Sequence, residues 1–200
     1  MTRSPLALAL FGLLLTAVFL PATAHADCPT RADLPGGIAF TGPEGEREEF
    51  ADIGDGMVSA SYRYPNGFRT EALLWQGVFL MELLDLVGTE GETRTSYTFP
   101  MDTAEIALPK PGGSWDVIVS VTDGRHSVSE RQLYSYGDPE EHSYGECSYE
   151  VIPFTAEYST VPDTVETYHY LPALGLSYLY TVVDPSGTQV YPYTRIEALR

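Results

Sequence analysis

Apolar residues in this chain return at every second position, in segment after segment. Across 115–121, Trp115, Val117, Val119 and Val121 fall on one face, with Asp116 and Ser120 on the other. Glu166, Tyr168 and Tyr170 alternate with Thr167 and His169. Leu176, Tyr178, Tyr180 and Val182 share a face of the next segment. A period of two carried through so many segments specifies antiparallel sheet with a buried face. The punctuation between segments agrees. Pro65-Asn66-Gly67, Asp123-Gly124 and Asp184-Pro185-Ser186-Gly187 are hairpin turns, because their residues tolerate the positive φ that tight reversals need.

Two stretches depart from simple alternation. Cys147, Tyr149 and Val151 point one way, and beyond Pro153 the parity passes to Phe154, Ala156 and Tyr158. Proline cannot donate to a ladder, so a bulge or a sheet corner is expected there. Residues 71–87 are apolar nearly all round. We read them as two strand segments flexing at Gly77, with a buried helix as the competing reading. The stretch 167–182 reads as two strands meeting at a Pro172–Gly175 corner, with Leu174 and Leu176 entering the core beside it. The fold expected is all-β: an antiparallel meander of roughly eight to eleven strands. It would form a curved sheet, a half-open barrel or a sandwich.

The first 26 residues read as a secretory signal. Arg3 precedes an apolar run from Leu6 to Leu20, Pro21 ends it, and Ala24-His25-Ala26 supplies the small residues of a cleavage site. Residues 27–200 then form one domain, with no transmembrane span after cleavage. The formal net charge of the full chain is −17, and Lys110 is its sole lysine. Such a surface repels nucleic acid and anionic headgroups, which makes both poor direct partners.

The two cysteines, Cys28 and Cys147, are an even pair in a chain addressed to an oxidising compartment. They are expected to form one disulfide. Neither belongs to a C-x-x-C motif, so the bond reads as a structural staple.

Three patches carry a resemblance. "ADCPTRADL" (26–34), "GECSYEVIPF" (145–154) and "YHYLPALGLSYLYTV" (168–182) resemble a family of small exported bacterial proteins without known function. The Tyr170-Leu171-Pro172-Ala173-Leu174-Gly175-Leu176 pattern is also similar to late strands of LolA-like half-barrel periplasmic domains. The resemblance implies a fold and a compartment, periplasmic or secreted, and it supplies no catalytic residue.

The side chains that could carry chemistry are few. There is no Gly-x-Ser-x-Gly, and His126, His142 and His169 read as exposed strand residues, so no catalytic residue is assigned. The loop "YGDPEEHSYGE" (136–146) gathers Asp138, Glu140, Glu141, His142 and Glu146, oxygen-rich ligands with one imidazole that suit a divalent ion such as calcium. No other cofactor is implied. The tyrosines Tyr168, Tyr170, Tyr178 and Tyr180 suit a half-wet surface that packs a ring and offers a hydroxyl. The expectation is an exported, non-enzymatic binding or interaction module, for an apolar ligand or an envelope protein partner. The alternative is a metal-binding or structural envelope protein.

Overall fold

The computed structural model describes residues 28–124 and 126–199. The leader read over residues 1–26 lies outside the described residues. Fourteen strands follow one another: β1 (Ile38–Thr41), β2 (Arg47–Gly54), β3 (Met57–Arg63), β4 (Arg69–Trp75), β5 (Phe79–Asp85), β6 (Thr93–Thr98) and β7 (Ser114–Asp123). They continue with β8 (His126–Tyr136), β9 (Glu140–Tyr144), β10 (Cys147–Tyr158), β11 (Val165–Leu171), β12 (Leu176–Asp184), β13 (Gly187–Val190) and β14 (Arg195–Ala198). The count exceeds the sequence expectation partly because β1, β13 and β14 are four-residue strands, too short to show a period.

All pairings are antiparallel, and the order runs β13-β12-β11-β10-β8-β7-β6-β5-β4-β3-β2-β1-β14. The expected meander is therefore present, as a curved sheet that hydrogen bonds do not close. Its two end strands, β13 and β14, are consecutive in the chain and joined by residues 191–194. So short a link spans at most about 3.5 Å per residue, which obliges the sheet to curl until its ends are neighbours. Side chains fill the seam. Tyr178 of β12, Phe40 of β1 and Tyr193 of the link have ring centroids 4.9–5.6 Å apart.

The turns behave as the sequence demands. Pro65-Asn66-Gly67 joins β3 to β4, with the Asn66 side chain accepting from the Phe68 amide and Gly67 at φ 88°. The 71–87 run is two strands, not a helix. Gln76 and Gly77 both take positive φ, 52° and 69°, inside the three-residue β4–β5 connection, where the Val78 amide donates to the Trp75 carbonyl at 3.0 Å. Pro172–Gly175 forms the corner between β11 and β12, with Leu174 and Leu176 fully buried.

Strand β10 changes partners between Val151 and Ile152. Cys147–Val151 pair with β9, and Ile152–Tyr158 pair with β11 and β8. Adjacent Val151 and Ile152 are both buried, in different cores. That places the expected corner one residue before the proline. The first core joins Phe40, Phe50, Tyr149, Leu171, Leu176 and Tyr178; the second joins Phe79, Phe99, Val119, Tyr134, Phe154 and Tyr170. Near the Pro172–Gly175 corner, strands β11 and β12 lie between them and are covered on both faces.

One end of the curled sheet is pinned shut. The Gly77 carbonyl accepts from the Ser177 amide at 2.8 Å, tying the β4–β5 turn to the start of β12. The Arg31 amide donates to the Ala173 carbonyl at 3.0 Å, so the N-terminal segment covers the same end. Cys28 is disulfide-bonded to Cys147, as expected, and the Tyr149 hydroxyl donates to the Pro29 carbonyl at 2.8 Å. The outer wall carries ion pairs, among them Arg131–Asp116, Arg94–Glu82 and Arg47 with both Glu49 and Glu197. Exposed pairs of this kind add little to stability, but together they dress this wall for water. Among the described residues no helix is long and apolar enough to cross a membrane.

Candidate functional site

Toward the end opposite the pinned turns, the sheet encloses a cavity of about 700 Å³. Strands β5–β8 and β10–β12 surround it, and Asp123, Thr160 and Val161 mark its mouth beside the β7–β8 and β10–β11 turns. This volume lies within the range of small-molecule sites. A smaller space of about 160 Å³ adjoins it through shared lining by Leu80, Leu83, Tyr134, Tyr158, Tyr168 and Leu179.

The lining is amphipathic in an ordered way. Leu80, Leu83, Val121 and Leu179 supply apolar wall. Along β8, Glu130, Gln132 and Tyr134 point inward at successive even positions and form a ladder. Gln132 Nε2 donates to Glu130 Oε1 at 2.7 Å, and the Tyr134 hydroxyl donates to Gln132 Oε1 at 2.7 Å. Thr160 donates to the other oxygen of Glu130. Across the cavity the Tyr168 hydroxyl donates to Glu166 Oε2 at 2.6 Å. Burial, helped by Glu130 and Glu166, pushes the Tyr97 phenol up to about 12. Burial raises Tyr134, Tyr158 and Tyr168 further still. These phenols therefore stay protonated and act as hydrogen-bond groups, not bases. The Tyr134 hydroxyl and one N–H of Gln132 are spent on the ladder, while the second Gln132 N–H and the carboxyl oxygens keep unused capacity.

The four tyrosines singled out in the sequence divide between the two cores. Tyr168 lines the cavity and Tyr170 is buried beside it. Tyr178 and Tyr180 take the opposite face, because in the β11–β12 register His169 stands across from Tyr178 and Tyr170 across from Ser177. Tyr178 also reaches the smaller space. Missing from the sequence reading were Glu130 and Gln132. Their parity with Tyr134 and Tyr136 was the available signal, masked by the polar look of the strand "HSVSERQLYSY".

A second cluster lies at the β9–β10 hairpin. His169 is not the exposed residue that alternation suggested: it is only 2% exposed, because hairpin β9–β10 folds over that face of β11. Its Nδ1 lies 3.0 Å from the Tyr178 hydroxyl, which is 2.8 Å from the Tyr144 hydroxyl. The Tyr180 ring stacks on it at 4.0 Å, and the His142 ring meets it edge-on at 4.7 Å. His142 Nε2 is 2.7 Å from Glu140 Oε1. Burial, and after it His142, lowers the His169 pKa to about 4, so the ring is neutral at physiological pH. Of the five acidic-loop residues, the fold brings together only Glu140 and His142, and adds His169 from another strand. Asp138 and Glu146 lie outside the strand, and Glu141 has the opposite parity to Glu140 and His142; all three are exposed. His126 is exposed at the start of β8.

No protein-family model matches the chain, and no curated protein or solved structure matches it.

Proposed function

We propose that the protein is an exported, non-enzymatic binding module that holds a small amphipathic molecule in the cavity of its curled sheet. The single observation that carries this reading is a cavity of about 700 Å³ walled by leucines on one side and by the Glu130–Gln132–Tyr134 ladder on another. A site of that kind offers burial to an apolar body and orientation to a polar head. The carboxyl groups of Asp123, Glu130 and Glu166 give the wall spare acceptor capacity, and none of the described lining residues is basic. The head is therefore a donor, neutral or cationic, and not a carboxylate or phosphate. The resemblance to half-barrel carriers supports the same reading, with the periplasm or the extracellular space as the setting. The Tyr134 and Tyr168 hydroxyls are engaged in hydrogen bonds, and His169 meets a tyrosine hydroxyl instead of a serine, which supports binding without reaction.

The test is a titration with 1-N-phenylnaphthylamine, an uncharged apolar fluorophore. Saturable enhancement with one site per chain, abolished by Leu83→Trp and Leu179→Trp, is expected. Enhancement that is absent, or that persists in both variants, refutes the reading.

A further inference from the structure

We propose that Glu140, His142 and His169 form a binding site for a divalent transition metal ion, with zinc as the best fit, clamping hairpin β9–β10 onto β11. One carboxyl oxygen and one nitrogen from each imidazole already lie within 4.8 Å of one another. Ligands about 2.1 Å from a tetrahedral ion sit about 3.4 Å apart, so the widest separation closes by at most about 1.4 Å while the Glu140–His142 pair, at 2.7 Å, opens by about 0.7 Å. The mobile partners are on the exposed hairpin, where Glu140 and His142 already touch at 2.7 Å.

The buried partner is oriented before any ion arrives. In the tautomer whose Nδ1–H donates to the Tyr178 hydroxyl, His169 Nε2 carries the lone pair a cation can use. The stack on Tyr180 fixes the plane of the ring. Tyr144 and Tyr178 extend the support into the core. An imidazole held through its other nitrogen is the arrangement that second-shell partners give to metal-ligating histidines.

The donor set selects the ion. Two imidazoles and one carboxylate suit zinc and its neighbours, with water in the remaining position. Calcium requires six to eight oxygens, which this group does not offer. The oxygen-rich loop 138–146 thus contributes two ligands to a nitrogen-rich site instead of forming a calcium loop. The ion would bridge elements 27 positions apart in sequence, β9 and β11, close to the Cys28–Cys147 staple.

The experiment uses the mature chain without an affinity tag, stripped of metal. It is titrated with zinc by calorimetry and with cobalt(II) by visible absorption. Expected are one ion per chain, tetrahedral cobalt bands and a melting temperature that rises with zinc but not with calcium. Glu140→Ala, at an exposed position, and His142→Ala, at a half-buried one, should each weaken binding by at least about tenfold. Glu141→Ala should leave it unchanged. Absence of saturable binding with zinc in large excess overturns the proposal. So does one-to-one binding that survives both Glu140→Ala and His142→Ala, since the ion would then sit elsewhere. His169→Ala is unsuited as the sole variant because that ring is buried.

Discussion

The carbonyl oxygen of Gly175 occupies the space that a Cβ on Gly77 would fill. The two glycines belong to turns 98 residues apart, β4–β5 and β11–β12, and their contact pins one end of the curled sheet shut. Gly77 also sits at φ 69°, so a side chain there meets backbone strain and a backbone clash together. Gly77→Ala should destabilise the protein by about 2 kcal/mol or more, read as a lower urea midpoint with an unchanged slope. A loss within about 0.5 kcal/mol, the range of ordinary surface changes, would mean the two turns are not held together.

The disulfide supports the same end from the N-terminal side. Cys28 and Cys147 are 119 residues apart, so the bond removes much of the loop-closure entropy of the unfolded chain. Replacing both by serine should cost about 4–5 kcal/mol in the chain-entropy model. Urea unfolding of oxidised wild type against the double variant gives the number. Equal midpoints would remove the staple from the account.

Glu48 supplies a pH signature at the seam. Burial raises its pKa to about 7 from 4.5, although it accepts a hydrogen bond from the Tyr193 hydroxyl at 2.7 Å. The native state then binds the proton more tightly than the unfolded state. The contribution of this group to stability is full below pH 4.5, falls as pH rises toward 7, and is flat above. Glu48→Gln keeps an acceptor for Tyr193 and removes the ionisation. It should raise stability at pH 8 by about 1–3 kcal/mol relative to wild type and change it little at pH 4. Thermal unfolding at the two pH values decides; an equal effect at both would assign Glu48 no titration.

On β8 the hydroxyl of Tyr134 satisfies Gln132, which is buried. Tyr134→Phe strands that amide oxygen beside the cavity. A loss of about 1–3 kcal/mol is expected in chemical denaturation. An unchanged midpoint would show that the ladder on this wall does not hold Gln132 in place.

Much of this architecture is legible in the chain. Turn residues at 65–67, 123–124 and 184–187 fix three hairpins, and the parity change around Pro153 marks the strand that moves between two cores. The two cysteines announce their bond. The functional side chains are less legible, for a physical reason. A period of two says which residues share a face, but not what covers that face. His169 alternates like a solvent residue and is buried because hairpin β9–β10 lies over it. Glu130 and Gln132 look like solvent residues and line a cavity because the sheet curls. The separation of Tyr168 and Tyr170 from Tyr178 and Tyr180 depends on a register, with a shift between Thr167 and Tyr168, that no local signal sets.

The central claim is that the curled sheet holds an amphipathic molecule by its apolar wall and its acceptor ladder. The most direct measurement is calorimetric titration of residues 27–200 with dodecylammonium, whose N–H groups can donate to the wall, and with laurate, both below micelle formation. The account predicts saturable one-to-one binding of the cationic amphiphile, lost when Leu83→Trp fills the cavity, and no comparable binding of laurate. Uptake of the cation that never saturates, or that is the same in Leu83→Trp, would reduce it to surface attraction by an acidic protein and contradict the claim.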